Sequence, residues 1–316
     1  MVHFSAPADK RIRQLALTVA AAQAGSTVKH LLKTEFHMAD GFISSLKQRP
    51  DGILLQGKQA HTVDHVREGD VLSVRIDDPG PCCPAVPVPV PLVVFHEDED
   101  LIILEKPAGM LVCGTPGGAV TLADALASHL GPDQPVHPVQ RLDRWTSGLI
   151  VFAKSRYISD RIRRSLHSDR FIREYLALAE GQLDPPDGRI DIPIGPADAR
   201  GIRRCARSDG QPAVTDYKTV SAFSGGSILK LRLQTGRTHQ IRVHLSAVGH
   251  PLFGDSLYGA ADPAPGRTAL HSAHLVLLHP VTGESLNYYS CLPEDLQQFL
   301  RLRHVQSPPQ EILFPL

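Results

Sequence analysis

Six prolines fall within the fifteen residues from Asp78 to Leu92 (DPGPCCPAVPVPVPL). Proline fixes its backbone φ angle and lacks an amide donor, so this stretch cannot enter a helix interior or a central strand. It is expected to be extended and semi-rigid, as a linker is. In a chain of 316 residues, long enough for two hydrophobic cores, it predicts a small domain over 1–78, a linker over 79–92 and a larger domain over 93–316.

The small domain has the pattern of two short helices followed by paired strands. Apolar residues at helical spacing begin at 28–32 and recur at 42–46, and strand-like runs occupy 53–55 and 71–76. With the turns GILLQG and VREGDVL, this pattern resembles the S-four type RNA-binding domain. In that family basic side chains of the second helix meet RNA, and Lys47 and Arg49 are the candidates here. A plain α+β adaptor domain is the alternative interpretation.

Strand signals dominate the chain after the linker. Short apolar runs bounded by turn residues occur at 92–95, 101–105, 148–153 and 228–233. Helical patterns interrupt them at 159–167 and after Thr121, which is the expected N-cap of a helix that ends at Gly131. Since helices and strands do not alternate regularly, the predicted fold class is α+β with a largely antiparallel or mixed sheet.

The net charge is zero, but the charge is unevenly distributed along the chain. Residues 200–250 carry nine basic and two acidic side chains, a net charge of +7, and residues 154–175 carry seven basic and three acidic ones, a net charge of +4. Such polarised charge can direct a polyanion to one face of a neutral protein. Charge alone does not distinguish a polyanion-binding face from a set of ordinary solvated faces.

Cysteine usage and hydropathy predict a soluble cytoplasmic protein. The five cysteines are odd in number and show no C-x-x-C spacing, which favours free thiols: Cys82, Cys83, Cys113, Cys205 and Cys291. No apolar run approaches the length of a membrane-spanning helix. Residues 15–24 follow three basic side chains and outline a secretory signal, but polar residues interrupt them and 13–19 alternate as a strand does.

The sequence predicts neither a nucleotide cofactor nor a metal. It contains no G-x-x-x-x-G-K-[ST] motif and no G-x-G-x-x-G motif between a strand and a helix. Among its histidines, His239 and His244 are five residues apart, which places them on different sides of a helix, and no H-E-x-x-H motif occurs.

One segment that could contain reactive residues is VQRLDRWTSGLIVFAK, residues 139–154, in which a polar loop runs directly into an apolar strand. Asp143 lies in this loop between Arg141 and Arg144. A nearby positive charge favours the ionised form of a carboxylate, which suits a nucleophile or a base. A turn aspartate bonded to nearby backbone amides is the equally weighted alternative.

A second such segment is LQTGRTHQIRVHLSAVGHPLFGDSLYG, residues 233–259. Thr238 as N-cap and Gly249 as C′ residue predict a helix over 238–248. Residues 241, 245 and 248 would then share one buried face, with Arg242 at its polar edge. A partly buried arginine needs a partner, and Asp143 is the expected one. A surface arginine on an amphipathic helix remains open.

These segments resemble the RluA-type family of RNA pseudouridine synthases. Its motifs occur in order between residues 105 and 284: EKPAG, QRLDRWTSGL, REYLALAEG, TGRTHQIRVHL, GHPLFGDSLYG, and LH followed by HPVTGE. An S-four-like module before the synthase is also common in this family. The resemblance implies a mixed β-sheet with flanking helices and a central cleft, and an isomerase that needs no cofactor and no metal.

The resemblance also implies roles for individual residues. Asp143 matches the catalytic aspartate, acting as nucleophile on the sugar or as the group that initiates glycosidic cleavage. Tyr175 matches a tyrosine that packs against the target base and helps with proton removal, and Arg242 matches an arginine paired with the aspartate. Ile241 and Leu245 would form an apolar wall. The residues expected to contact substrate also include Arg141, Thr146, Arg237, His239 and Gln240.

The chain departs from the family pattern at three places. Family members usually have His at the position of Gln140 and an acidic residue at that of Trp145, and both changes predict altered RNA contacts. The loop after Lys106 usually continues into a His-Pro pair, where this chain has Cys113-Gly114. These departures leave the substrate open.

The expected partner is RNA, bound by a monomer. Large-subunit ribosomal RNA is favoured because S-four-bearing relatives often act there, and transfer RNA is the alternative. Two further hypotheses are a non-catalytic ribosome-assembly factor and a glycoside hydrolase. The hydrolase would need a second acid near Asp143, for which Asp255 is the candidate.

Overall fold

The structure is a computed structural model that describes residues 2–5, 13–78, 85–114, 117–131, 134–166, 168–198 and 203–305, with only the backbone described for 2–5. The first half of the proline-rich linker (79–84), two of the cysteines and part of the basic stretch that begins at residue 200 lie outside the described residues.

The N-terminal unit is a five-stranded antiparallel sheet with two short helices. The sheet order is β1-β2-β5-β3-β4. Its elements are β1 (Val2–Ser5), β2 (Gln14–Thr18), a 3₁₀ turn (Ala21–Gln23), α1 (Val28–Thr34), α2 (Asp40–Leu46), β3 (Ile53–Leu55), β4 (Lys58–Gln59) and β5 (Val71–Arg75). Both helices and both strand runs expected from the sequence are present. The segment that outlines a secretory signal contributes β2, whose Leu15 and Leu17 side chains are buried beneath the sheet.

A ten-stranded sheet forms the body of the protein. Its main path is β11-β14-β15-β10-β16-β9-β7-β6, with β17 paired to β16 and β8 paired to β9. The strands are β6 (Val93–Glu97), β7 (Leu101–Lys106), β8 (His137–Pro138), β9 (Ser147–Ala153), β10 (Phe171–Glu180), β11 (Asp187–Asp191), β14 (Val214–Phe223), β15 (Gly226–Leu233), β16 (Leu270–Leu278) and β17 (Ser285–Tyr289), while β12 (Ile194–Pro196) and β13 (Arg204–Ala206) form a separate hairpin.

The predicted α+β class is confirmed, and the sheet is largely antiparallel. Among the described strand pairs of the large sheet, β9 and β16 run parallel and the others antiparallel. This parallel junction lies at the middle of the sheet, where the loop before β9 emerges. The loop carries Asp143, so the junction sets the position of the candidate site.

Among the described residues, four helices flank the large sheet: α3 (Leu122–Leu130), α4 (Arg156–Ser165), α5 (Gln240–Ala247) and α6 (Glu294–Arg301). Thr121 caps α3 as expected, since its hydroxyl accepts from the amide of Asp124 while the Asp124 carboxylate accepts from the amide of Thr121. The expected helix over 159–167 begins three residues earlier, because the hydroxyl of Ser155 accepts from the amide of Ile158 and provides the N-cap.

The second half of the linker is extended and lies against α3. The amide of Val86 donates to the carboxylate of Asp124 at 2.8 Å, and the amide of Val88 donates to the Asp124 backbone carbonyl at 3.2 Å. Residues 85–92 contain no helix or strand, which agrees with the polyproline-like expectation. These bonds attach residues 85–92 to α3.

The N-terminal unit is packed against the large sheet. Tyr157 of α4 donates to the backbone carbonyl of Phe36 at 2.8 Å, and its ring lies 5.9 Å from that of Phe42 in α2. One hydrophobic cluster includes buried residues of both units, among them Leu46 and Ile158. Burial of shared apolar surface therefore holds the two units together.

No helix among the described residues has both the length and the apolar character needed to cross a bilayer.

Candidate active site

Asp143 lies in the tight turn that precedes β9. Its backbone carbonyl accepts from the amide of Thr146 at 3.1 Å, which closes the turn. Gly148 follows with a φ of 108°, and a Cβ there would lie 2.2 Å from the carbonyl oxygen of Ser272 in β16. Only glycine combines that angle with so close an approach. The T-S-G sequence therefore lets β9 pair closely with β16 and directs the Asp143 loop over the end of β16.

One arginine bridges two carboxylates at this place. The Arg242 guanidinium donates to Asp255 through Nε at 2.7 Å and Nη2 at 2.8 Å, and through Nη1 to Oδ2 of Asp143 at 3.1 Å. The bidentate bond holds the Arg242 guanidinium and the Asp255 carboxylate in a fixed geometry. The sequence predicted that Arg242 contacts Asp143, and the structure adds Asp255 as its stronger partner.

The two carboxylates differ in their exposure. The side chain of Asp255 is 1% exposed and that of Asp143 is 25% exposed. Asp255 is thus occupied in holding the arginine, while Asp143 receives one hydrogen bond from the described residues and keeps a face open to the cleft. The arrangement aims Asp143 and leaves it accessible to a reacting atom.

His239 and Tyr258 complete the surroundings of Arg242. His239 Nδ1 lies 2.7 Å from the Tyr258 hydroxyl, and His239 Nε2 lies 3.9 Å from Oδ2 of Asp143. The Arg242 guanidinium lies 4.9 Å from the centre of the Tyr258 ring. Burial lowers the pKa of His239 despite the opposing effect of the Asp143 charge. His239 is therefore neutral at pH 7 and adds no second positive charge.

The helix that carries Arg242 begins later than the sequence predicted. The expected N-cap was Thr238, but the cap is His239 in the left-handed conformation, with a φ of 58°, and α5 begins at Gln240. The expected buried position Val248 is 39% exposed, whereas Arg242 is buried. The amphipathic pattern failed here because α5 is enclosed on more than one side, with His244 bonded to Thr215 and to the Ile192 carbonyl, so all of its first six residues are buried.

Tyr175 faces Asp143 from the middle of β10. It is buried and lines a narrow pocket of about 50 Å³ together with Asp143, Ile241 and Leu270. Burial raises the pKa of Tyr175, the charge of Arg173 lowers it and that of Asp143 raises it again. The phenol thus keeps its proton at neutral pH and presents a flat, largely apolar face to the pocket.

Two larger cavities adjoin this pocket. One of about 410 Å³ shares Asp143, His239 and Arg242 with it and continues along residues 254–257 and 266–268. The other, of about 510 Å³, shares Arg141 and Arg237 with the pocket and is further lined by Arg204 and Arg207. The region as a whole is a cleft with an acidic group at its centre and a basic extension.

The remaining predicted substrate contacts differ in accessibility. Thr146 lines the narrow pocket, and its buried hydroxyl has no hydrogen-bond partner among the described residues. The amide of Gln240 is engaged by the protein, since Nε2 donates to the Val214 carbonyl and Oε1 accepts from the Arg237 amide. Leu245 is fully buried behind the site, and the described lining of the pocket does not include it.

The two departures beside Asp143 have opposite environments. Gln140 is buried, with Nε2 3.4 Å from the Leu149 carbonyl, so its side chain offers little surface for a direct contact with RNA. Trp145 is 45% exposed at the rim of the 410 Å³ cavity. Of the two positions, Trp145 is the one that can meet a ligand.

Lys106 is a residue of the site that the sequence interpretation did not single out. Its fully buried ammonium donates to the backbone carbonyls of Pro107 and Met110 at 2.8 Å and of Arg144 at 3.0 Å. Burial lowers the pKa of Lys106 to about 7. The positive charge of Arg267 also lowers this pKa, whereas the negative charge of Asp143 raises it. The signal was its place at the end of an apolar strand, where a lysine needs partners.

Arg267 also supports the Asp143 loop and was missed. It is buried, donates to the Trp145 carbonyl at 3.1 Å and to the Ser147 hydroxyl at 3.3 Å, and pairs with Asp295 of α6. Nothing in its local sequence marks it, because its partners lie about 120 residues before it and 28 residues after it. Lys106 and Arg267 fix the loop from two sides.

One group of described residues could offer three ligand atoms to a metal: Asp98, Asp100 and His279. The Arg13 side chain already contacts this group, since its Nη2 lies 2.6 Å from Asp100. The group lies where the N-terminal unit meets the large sheet. We describe it as an ion-pair cluster of that interface.

Comparisons with known proteins agree with this site. A family model described as RNA pseudouridylate synthase matches residues 100–247, which include Asp143, Tyr175 and Arg242. "Uncharacterized RNA pseudouridine synthase YjbO" of Bacillus subtilis (strain 168) is 32% identical over 271 residues, covering 84% of this chain and 96% of that protein. "Ribosomal large subunit pseudouridine synthase D" of Yersinia pestis is 33% identical over 313 residues, covering 91% and 94%.

A solved structure is similar as well. Human RNA pseudouridylate synthase domain containing 4 superimposes with a TM-score of 0.57 at 25% identity, over 69% of this chain and 95% of that one. The motifs, the arrangement around Asp143 and relatives matched over nearly their whole length agree with one another. The chain belongs to the RluA-type family of RNA pseudouridine synthases.

Proposed function

We propose that this protein isomerises specific uridines of large-subunit ribosomal RNA to pseudouridine. The observation that carries the proposal is the half-open carboxylate of Asp143, fixed by Arg242 at the centre of a cleft with a basic extension. Relatives named for the large ribosomal subunit support the choice of RNA.

Asp143 would initiate cleavage of the glycosidic bond. Arg242, held by Asp255, keeps the carboxylate at a fixed place, so little reorganisation is needed when it reacts. Tyr175 and Ile241 would pack against the detached uracil and exclude water that could hydrolyse the intermediate. Because the Tyr175 phenol is protonated at neutral pH, its first contribution is this packing rather than uptake of a proton.

The target uridine must leave its base stack before Asp143 can reach it. Flipping a base out costs a few kcal/mol. Phosphate contacts would offset this cost, and the residues positioned for them are Arg141, Arg204, Arg207 and Arg237 around the 510 Å³ cavity. Arg207 is the most engaged of these four, since it donates to both oxygens of Asp209 and through Nη1 to the Pro196 carbonyl. His239 and Thr146 would contact the nucleoside itself.

We also propose that residues 1–78 form an S-four-like RNA-binding domain, joined through 79–92 to a catalytic domain over 93–316. Of the two basic candidates in this domain, Lys47 is exposed, whereas Arg49 donates to Asp77 at 2.7 Å and is thereby occupied. RNA contact would therefore rest on Lys47 more than on Arg49.

A monomer in the cytoplasm is the proposed working form. The glycoside hydrolase alternative is disfavoured, because the second acid it needs, Asp255, is buried and bound by Arg242 on both oxygens.

Release of tritium from RNA labelled at carbon 5 of uracil tests the reaction. Isomerisation replaces the bond from N1 to C1′ by one from C5 to C1′, so the C5 hydrogen leaves as a proton. Wild-type protein should release label from a transcript of large-subunit ribosomal RNA, and Asp143→Asn should not. A non-catalytic assembly factor would bind the transcript and release none. Mapping pseudouridine in cells with and without the gene distinguishes ribosomal from transfer RNA.

A further inference from the structure

Trp145 is the single tryptophan of the chain, and it stands two residues after Asp143. Its side chain borders the 410 Å³ cavity that Asp143, His239 and Arg242 also border. At 45% exposure, much of the indole is in contact with solvent. An aromatic ring exposed beside a reactive group that acts on RNA is placed where it can stack on a base.

The protein supports the indole from below. A Cβ built on Gly109 would lie 3.1 Å from the ring, so one part of the indole rests on the backbone of the loop after Lys106. The Arg144 guanidinium lies 5.4 Å from the ring centre, and Arg267 fixes the Trp145 backbone carbonyl. The ring is therefore held in place at the cleft with its remaining surface available.

We propose that Trp145 is a stacking platform for the nucleobase that neighbours the target uridine. This inference rests on the proposed function and concerns RNA selection rather than the chemical step. Removing a uridine from its stack leaves the adjacent base without a neighbour, and an aromatic ring can replace the lost contact. Such stacking tolerates any base, since every base has a π face. Trp145 thereby favours RNA in which a neighbour of the target is unpaired.

Basic groups around the platform fit a nucleotide. Arg144 is exposed next to the ring, and its Nε donates to the Gly109 carbonyl. Among the described residues its terminal nitrogens have no hydrogen-bond partner, so they face solvent. A phosphate attached to the stacked nucleoside would meet this guanidinium. Stacking on Trp145 and a phosphate contact at Arg144 together define the proposed subsite.

Because the chain has one tryptophan, its emission reports on the platform directly. The probe is a single-stranded RNA decamer with one central uridine flanked by adenosines, and the comparison is the same decamer in which both flanking nucleotides lack a base. A dye at the 5′ end gives the bound fraction by anisotropy. At equal occupancy, the first RNA should quench the emission and the second should leave it unchanged. Equal emission changes with both RNAs, or none with either, would overturn the inference.

Variants test its consequence for catalysis. Trp145→Ala should raise KM for the ribosomal RNA transcript by about 5- to 150-fold, the loss expected for one base stack. Trp145→Phe, which retains a ring, should restore KM to within about 3-fold. The control is Leu278→Ala, a 39% exposed side chain at the opposite end of β16 from Leu270 of the pocket. It should leave KM unchanged.

The outcomes separate this inference from the proposed function. If wild type releases tritium and Trp145→Ala keeps the wild-type KM, the platform is refuted while the enzyme assignment stands. If wild type releases no tritium, the assignment fails, and the two decamers still decide whether Trp145 stacks on a base. A thermal melt of each variant shows whether a change in KM reflects loss of fold instead.

Discussion

The cleft and the interface between the two units each contain an arginine paired with carboxylates, but the carboxylates of the two places differ in how many protein donors they accept from. At the interface, Asp98 accepts from the amides of Asp100 and Leu101 with one oxygen and faces His96 and His279 with the other. In the cleft, Asp143 accepts one bond, from Arg242, and its Oδ1 receives none from the described residues. A carboxylate saturated by protein donors is a structural element, whereas one left half open can react.

The same contrast exists within the cleft. Asp255 and Asp143 share one guanidinium, but Asp255 takes both strong bonds and is buried. Burying a charged pair without complete hydrogen bonding is costly, and Asp255 meets that requirement. Asp143 can remain open because its neighbour secures the arginine.

Asp143→Asn changes the partly exposed carboxylate and should have the largest effect on activity. The amide keeps the shape but removes the charge and the reactive oxygen. Tritium release should fall by at least about 10³-fold. The midpoint of thermal unfolding should shift by no more than a few degrees, since Asp143 contributes a single bond. A variant that unfolds as readily as it loses activity would make Asp143 structural.

Asp255→Asn breaks the saturated side. It leaves the buried Arg242 guanidinium with the single, partly exposed carboxylate of Asp143 as its counter-charge, which should cost about 3 kcal/mol in the free energy of unfolding. Urea unfolding measures this cost. The result would contradict the comparison if Asp255→Asn were as stable as Asp143→Asn.

Lys106→Met tests the support of the Asp143 loop. Three backbone carbonyls lose their donor, so stability should fall by about 1–3 kcal/mol at pH 7. The folded pKa of Lys106 is about 7 and its unfolded pKa about 10.4, so the unfolded chain binds more protons between these values. Wild-type stability relative to the variant should therefore rise with pH from 7 to 10. Urea unfolding at pH 7 and pH 9.5 checks the sign, and a flat difference would contradict it.

Asp98→Asn sharpens the comparison at the interface and should have the smallest effect, about 1–2 kcal/mol at pH 7. Burial alone would raise the pKa of Asp98, but bonds from His279, His96 and two backbone amides outweigh it and hold the pKa below its usual range. A lowered carboxylate pKa stabilises above the unfolded value near 3.9, and the gain is lost as pH falls. The difference between variant and wild type should shrink below pH 4, with tritium release preserved at pH 7.

Most of the fold followed from local sequence patterns. Alternating and continuous apolar runs predicted β7, β9 and β15 to within two residues, and Thr121 marked the start of α3. Errors arose where a side chain from elsewhere decided the outcome. The start of α5 moved because His239 adopts a left-handed conformation beside Tyr258, and Val248, expected on the buried face, is exposed.

The sequence by itself determined the fold class and the motifs, because periodicity, turns and motif order act over a few residues, whereas the pairing of Arg242 with Asp143 was an expectation that the folded chain had to test. Only the tertiary structure decided which carboxylate remains open, that Lys106 and Arg267 hold the loop, and that Trp145 faces the cleft. Whether a polar group is satisfied depends on every donor around it, and the donor to Asp143 lies 99 residues away in the chain. The full set of donors around a polar group is defined only once the chain has folded.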